Sequence, residues 1–324
     1  MRGAAVSHRL PEVTRQRFLI VDNPMAGTRT ARRVGAVRAA LARAGARVVA
    51  MPNAGRAPAA ADILRAARAA DAEAVLAAGG DGTMRLVAEA LVGTGLPAGL
   101  VPAGTGNVLA HEIGMPRAAE AIARVLMQGP VARVETHRAN GAVFLLMAGV
   151  GMDGEIIAGL DQRVKQRVGK LAYARPIWRG VTGAAPLLDV TVDGRAMQGH
   201  WLLVTSASRY GGRFRLTRQT ALSHSGLVAI LLEQEAAASR LRVLAAIAMG
   251  RLDHLASKCP GLVCMVPCES VTVSSHRPVA CQIDGDGFGQ TPLEIVRGRA
   301  DLDLIVPERW CDESHRQPGV MRIN

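Results

Sequence analysis

Aromatic residues are scarce. Four Phe, two Tyr and three Trp make up 3% of the 324 residues, too few for the stacking platforms that hold single-stranded nucleic acid. No helix-turn-helix or aromatic RNA motif is present either, so no nucleic-acid partner is expected. No uninterrupted apolar run is long enough to span a bilayer. The segment 1–17 is polar and basic, without the apolar stretch of a secretory signal. The five cysteines, Cys259, Cys264, Cys268, Cys281 and Cys311, lack the spacing of zinc ligands. They are expected as reduced thiols, mostly buried in strands, of a cytoplasmic protein. Acid is short too: 27 Asp and Glu against 39 Lys and Arg leave a net charge of +12. That surplus favours an anionic partner, such as a nucleotide or an acidic membrane surface met peripherally. Two phosphate-binding fingerprints are absent: there is no Walker A sequence, and no Gly-x-Gly-x-x-Gly after the first strand.

What is present is alternation. Strand signals at Arg17–Val21, Arg47–Met51, Ala74–Ala78 and Gly99–Pro102 enclose helical patterns at Ala31–Ala44, Ala59–Ala70 and Met84–Val92. Strand and helix in turn predict a mostly parallel sheet covered by helices on both faces, a three-layer α/β/α unit over residues 17–130. From Val131 short strand-like runs dominate, separated by turn signals such as Asp193-Gly194 and Asp284-Gly285. A β-rich second unit over residues 131–300 follows, interrupted by helices near Val164–Trp178 and Ala236–Met249.

Each glycine-rich stretch of the first unit falls at the carboxyl end of a strand, where such sheets bind ligands. They are Asp22-Asn23-Pro24-Met25-Ala26-Gly27-Thr28, Gly79-Gly80-Asp81-Gly82-Thr83 and Pro102-Ala103-Gly104-Thr105-Gly106-Asn107. Glycine lets the backbone approach a phosphate, and free N–H groups at a helix start favour negative charge. Thr28, Thr83 and Thr105 can add hydroxyl donors. A carboxylate among anion-binding loops fits a site where Mg2+ lies between it and the phosphates, or where Asp81 takes a proton from an attacking hydroxyl. Asp153 reads as a group in the cleft or as the N-cap of a helix beginning at Gly154.

These stretches resemble the diacylglycerol kinase catalytic-domain family, which includes bacterial lipid kinases, sphingosine kinases and ceramide kinases. The second unit adds Gly149-Val150-Gly151-Met152-Asp153-Gly154-Glu155, Tyr210-Gly211-Gly212 and Gln282-Ile283-Asp284-Gly285-Asp286. The resemblance runs over roughly residues 17–306. It implies an ATP-binding α/β domain, a β-sandwich lipid domain, and transfer of the γ-phosphate of ATP to a lipid hydroxyl with Mg2+. It also implies a chain end, 301–312, that packs back on the first domain. Carried over residue by residue, Asn23, Gly27 and Thr28 hold phosphates. Gly79, Gly80, Gly82 and Thr83 form the nucleotide loop, with Gly104, Thr105 and Asn107 completing it. Asp284 is the general base with Asp81 as its competitor, and Asp81 and Asp286 are the metal ligands. Arg85-Leu86 stand where many members have Asn-Glu, and Arg85 could reach a phosphate there. Ser223-His224-Ser225-Gly226 replace an acidic pair that holds a structural Mg2+ in some members, so no such metal is expected. Asp286 stands for the usual Glu. Arg213 and Arg218 could meet an acidic lipid. Two other readings stay open: an NAD kinase-like enzyme with a soluble acceptor, and a nucleotide-binding membrane-associated protein with weak turnover. A homodimer is compatible with the sequence.

Overall fold

The structure is a computed structural model that describes residues 14–22, 28–51, 58–160 and 172–310; the side chains of 28, 29 and 300 lie outside the description. The chain begins with β1 (Arg17–Asp22), α1 (Thr28–Arg43), β2 (Arg47–Ala50), α2 (Ala60–Ala69), β3 (Ala74–Gly79), α3 (Asp81–Leu91), β4 (Ala98–Pro102), α4 (Val108–Glu112), α5 (Ala119–Gln128) and β5 (Val131–Glu135). It continues through β6 (His137–Ala139), β7 (Ala142–Phe144), β8 (Met147–Gly151), α6 (Met152–Ala158), α7 (Ala174–Thr182), β9 (Leu188–Val192), β10 (Arg195–Gly199), β11 (Trp201–Thr205), β12 (Arg209–Tyr210), β13 (Phe214–Arg215) and β14 (Leu227–Leu232). Last come α8 (Ala237–Ala248), α9 (Leu252–Lys258), β15 (Val263–Cys268), β16 (Ser270–Ser274), β17 (Ala280–Ile283), β18 (Asp286–Gln290), β19 (Leu293–Val296) and β20 (Ala300–Ile305).

The first sheet has the order β2-β1-β3-β4-β20-β5. Strands β1 to β4 run parallel, with β20 parallel to β4 and β5 antiparallel to β20. Both faces are covered by helices, so β3 is buried along its whole length and reads as an unbroken apolar run. The stretch from Val131, expected to open the second unit, instead supplies β5 to this first sheet. Its partner β20 arrives from the far end of the chain, a pairing that local patterning cannot foretell.

Two antiparallel sheets face each other beyond β5, in the orders β10-β9-β16-β19-β6-β7 and β15-β14-β11-β8-β17-β18. Side-chain parity shows how they pack. Leu202 and Val204 of β11 share a core with Val190, Val271 and Ile295 of the facing sheet. Trp201 and Leu203 point the other way, into a second core with Val243, Ile247 and Leu252 of α8 and α9. The β11–β14 sheet is therefore buried on both sides, and Leu227–Leu232 lacks the alternation of a half-exposed strand. Cys268 and Cys281 lie buried in β15 and β17, whereas Cys259 closes α9 and receives a hydrogen bond from Arg242. Cys311 and the rest of the chain end lie outside the described residues.

The chain crosses from the first sheet to the sandwich between β5 and β6 and returns between β19 and β20. The crossings are pinned side by side. Thr136 N–H donates to Arg299 O at 3.1 Å and its hydroxyl to Asp301 at 2.7 Å. Arg297 grips Glu135 at 2.8 Å and also pairs with Glu269.

Gly154 of α6 lies directly against β17, and a Cβ there would overlap the carbonyl oxygen of Ala280. That neighbour is backbone within a sheet and cannot swing aside. Gly154→Ala is expected to lower stability by about 1–3 kcal/mol or more, read as a lower urea midpoint in equilibrium unfolding.

Candidate active site

The second and third glycine-rich loops stack back to back at the carboxyl edge of the first sheet. Ala103 and Gly104 both donate N–H to Gly79 O, at 2.8 and 3.1 Å. A Cβ on Gly104 would lie 2.5 Å from the Cα of Gly80, so the two loops touch only because both positions are glycine. Helix α3 begins at Asp81, three residues before the Met84 start expected from the sequence. Asp81, Gly82 and Thr83 thus form a first helical turn, whose N–H groups have no partner within the helix. Thr83 is buried, its hydroxyl tucked against Gly79. Asn107 adopts a left-handed conformation (φ 50). Its amide donates to Gly104 O at 2.7 Å and accepts from Gly104 N–H at 2.9 Å, which closes the third loop on itself. Thr105 sits half-exposed at the tip of that loop. Asn23 and Gly27 lie outside the described residues, as does the side chain of Thr28. The next hydroxyl, Thr30, donates to Ala103 O at 2.9 Å and ties α1 to the third loop.

Asp81 points from the second loop to the third. Its two oxygens accept the N–H groups of Val108 and Leu109 at 2.9 and 3.0 Å, the first turn of α4. Burial raises its pKa; those bonds oppose the shift, and the charge of Asp286 adds to it. Asp286 opens β18 and leans over Gly82, where a Cβ would overlap its Oδ2. Arg85 lies between Asp286 and Glu89, 3.8 and 3.9 Å away. Its guanidinium already faces two carboxylates.

Asp284 sits in the turn between β17 and β18. It has φ 48 and Gly285 has φ 82, the two positive values of a type I′ hairpin turn. The side chain is turned inward. Leu145 donates its N–H to Oδ2 at 2.8 Å, and Leu146 and Met147 donate to Oδ1 at 2.8 and 3.0 Å. Burial nevertheless pushes its pKa up to about 6, the charge of Asp81 adding to the rise. That coupling brings together Asp81 of the first sheet's loops and Asp284 of the sandwich.

Asp153 is not a helix cap. Gly151 takes the N-cap position of α6, and Asp153 is buried inside its first turn. It accepts the hydroxyl of Tyr210 at 2.5 Å and the amide of Gln282 at 3.4 Å. Gln282 in turn accepts the N–H of Gly285 at 2.8 Å, so this buried chain reaches the Asp284 turn. Burial pushes the Asp153 pKa up to about 6 against these two donors. Sequence reasoning missed Glu112, which accepts both the N–H and the hydroxyl of Ser208, each at 3.0 Å, and the N–H of Leu222 at 3.2 Å. A lone Glu closing a short helix gives no signal of that role. At the substituted Ser223–Gly226 segment, the Gly226 N–H donates to Glu135 at 3.0 Å.

Among the described residues no group of three His, Cys, Asp or Glu is close enough to hold a metal alone. Mg2+ needs less, since it binds through one or two carboxylates, phosphate oxygens and water. Asp81 and Asp286 fit that requirement. They flank Gly82, and each like charge raises the other's cost, which a divalent cation relieves.

The sequence pattern of the diacylglycerol kinase catalytic domain matches residues 17–139. A relative from Pseudomonas fluorescens, named as a probable YegS-like lipid kinase, is 30% identical over 259 residues, covering 76% of this chain and 81% of that one. The chain belongs to the diacylglycerol kinase catalytic-domain family. It is thereby placed among lipid kinases. The diacylglycerol kinase of Bacillus subtilis is 25% identical over 247 residues, with 74% and 79% covered. An uncharacterized protein of Synechocystis is 26% identical over 240 residues, and there the chain spans about half of the relative's length, 54%. A crystal structure of a diacylglycerol kinase from Bacillus anthracis superposes with a TM-score of 0.65 at 16% identity, over 91% of this chain and 98% of that one. That likeness concerns the fold.

Two outcomes follow from this geometry. Gly82→Ala displaces Asp286 from the first turn of α3, and a shift on the order of 1 Å costs about 10²-fold in kcat/KM. The unfolding midpoint should stay near wild type, because Asp286 is half-exposed and can move. The second outcome concerns pH. Asp153 and Asp284 titrate near 6 in the folded chain and at about 3.9 when unfolded. Between these values the folded state holds more protons, so stability falls as pH rises from 4 to 6 and then levels off. Each carboxylate contributes a loss on the order of 2–3 kcal/mol. In Asp153→Asn the unfolding free energy should fall less steeply with pH over this range.

Proposed function

We propose that the protein is an ATP-dependent lipid kinase that transfers the γ-phosphate to the hydroxyl of diacylglycerol or a related lipid alcohol. The observation that carries this reading is the placement of Asp284. It is a buried carboxylate of raised pKa, fixed by three N–H groups, and it stands two residues from Asp286, whose carboxylate lies against Gly82 of the second loop.

The N–H groups of Gly82 and Thr83 at the start of α3 and the glycine backbone of the third loop receive the phosphates. Bound Mg2+, held by Asp81 and Asp286, supplies charge neutralisation for the transferred group. The chain's own part is positioning. Asp81 locks the second loop to α4 through Val108 and Leu109. The N–H groups of Leu145 to Met147 aim Asp284, whose Oδ2 accepts a single hydrogen bond and keeps a lone pair for the proton of the attacking hydroxyl. A base that titrates near 6 is ionised at neutral pH, yet basic enough to take that proton as the bond forms. Among the described residues no helix is long and apolar enough to cross a membrane. On this reading a lipid acceptor is met at the surface of a bilayer, by a cytoplasmic protein bound peripherally.

The test is label transfer from γ-labelled ATP with Mg2+ to diacylglycerol, to sphingoid bases and to NAD. Label in a lipid alcohol supports the reading; label in NAD alone overturns it in favour of a soluble acceptor. Asp284→Asn should lower kcat by about 10²–10⁴-fold. In the wild type, kcat/KM should fall tenfold per pH unit below a limb near 6, where Asp284 becomes protonated.

A further inference from the structure

Three neighbouring elements expose large apolar side chains that no core uses. Trp178 of α7 is 68% exposed, Leu241 of α8 59%, Met249 at the end of α8 62%, and Phe214 of β13 43%. Their elements form one face. Arg240 donates to Val181 O at 3.0 Å and Gly183 O at 2.7 Å, fastening α8 to the end of α7. Arg215 of β13 lies against Gly250, just past α8, where a Cβ would be 3.6 Å from the Arg215 Cβ.

The elements that carry these side chains hold basic charge only, although Glu155 of α6 lies near Arg240. Neither α7, nor α8, nor the segment 209–218 contains an acidic residue. Arg213, Arg215 and Arg218 are exposed around Phe214, and Arg175 and Arg179 flank Trp178. The nearby Asp253 is already engaged by the Thr217 hydroxyl and the Arg218 N–H, at 2.7 and 3.0 Å. A second copy of the chain would set arginine against arginine. An acidic bilayer offers phosphate to the arginines and hydrocarbon to the ridge. The face also leads to the site: Tyr210 pairs with Phe214 across the β12–β13 hairpin, and its hydroxyl binds Asp153.

We propose that α7, α8 and the β12–β13 hairpin form the docking face for an acidic lipid bilayer, with Trp178, Phe214, Leu241 and Met249 entering the interface. The proposal rests on the lipid-kinase reading for its purpose, and its test is independent of turnover. Trp201 and Trp310 are buried, 2% and 6% exposed, so Trp178 reports the environment of this face among the three tryptophans. Without ATP, the full chain is mixed with vesicles of phosphatidylglycerol and phosphatidylcholine, or of phosphatidylcholine alone. Co-flotation and a blue shift of tryptophan emission are expected with the acidic vesicles, and the shift should vanish in Trp178→Phe while binding persists. Arg213→Gln, Arg215→Gln and Arg218→Gln together should weaken binding by about a hundredfold. Trp178→Ala with Leu241→Ser and Met249→Ser should abolish co-flotation yet leave phosphorylation of a dispersed short-chain diacylglycerol unchanged. Unshifted emission, undiminished binding by the triple apolar variant, or a wild-type dimer that this variant dissolves would overturn the proposal. A protein that binds vesicles but transfers no phosphate sinks the kinase reading alone. One that phosphorylates the dispersed lipid but ignores vesicles sinks the docking face alone.

Discussion

Main-chain N–H groups, rather than cationic side chains, hold the two carboxylates on which this architecture turns. Asp81 is gripped by the first turn of α4 and Asp284 by three successive amides leading into β8. An amide fixes an oxygen without cancelling its charge. Both groups stay acidic neighbours in a poorly solvated cleft, and burial raises both pKa values. An arginine in either place would lower that tension and pull the carboxylate's pKa back down. The guanidinium that is present, Arg85, reaches the exposed Asp286 instead.

This arrangement demands that the first sheet and the sandwich keep a fixed relation. Two chain crossings provide it, β5 to β6 outward and β19 to β20 back. Surface ion pairs such as Arg43–Glu120 contribute little by themselves, about 0–1 kcal/mol. The backbone pairing of β5 with β20, and the buried Leu145–Met147 stretch that joins the first sheet's core, do more. The same stretch supplies the amides for Asp284. Packing of the two layers and fixing of the Asp284 carboxylate are therefore one structural event.

The sequence showed the parts whose causes are local. Alternating strand and helix periods located β1 to β4 with α1 to α3, and the glycine runs marked the loops where backbones must touch. Asp284-Gly285 was legible as a turn because two positive φ values suit that pair. What escaped depends on distant partners. Val131–Glu135 alternates like any half-buried strand, and only β20 decides which sheet it joins. Asp153 stands where a cap could be, but Gly151 turns the chain first and leaves the carboxylate to Tyr210, 57 residues on. Helix α3 starts early because the Gly80 backbone caps it, which lets Gly82 serve inside a helical turn despite its poor propensity.

That last misfit shows why Gly82 is glycine at all. In the first turn of α3 an alanine would be the better helix former, by roughly 0.8–1.0 kcal/mol. The position gives up that stabilisation because Asp286 descends onto it from the sandwich. The local rule is broken at the place where the two layers must approach within contact distance. The same reasoning applies to the exposed ridge of α7 and α8. Their buried faces already cover the outer side of the β11–β14 sheet, with Val243, Ile247 and Val181 in that core. Trp178, Leu241 and Met249 add nothing to it, so their apolar surface is not explained by that core and is what the proposed docking face would use.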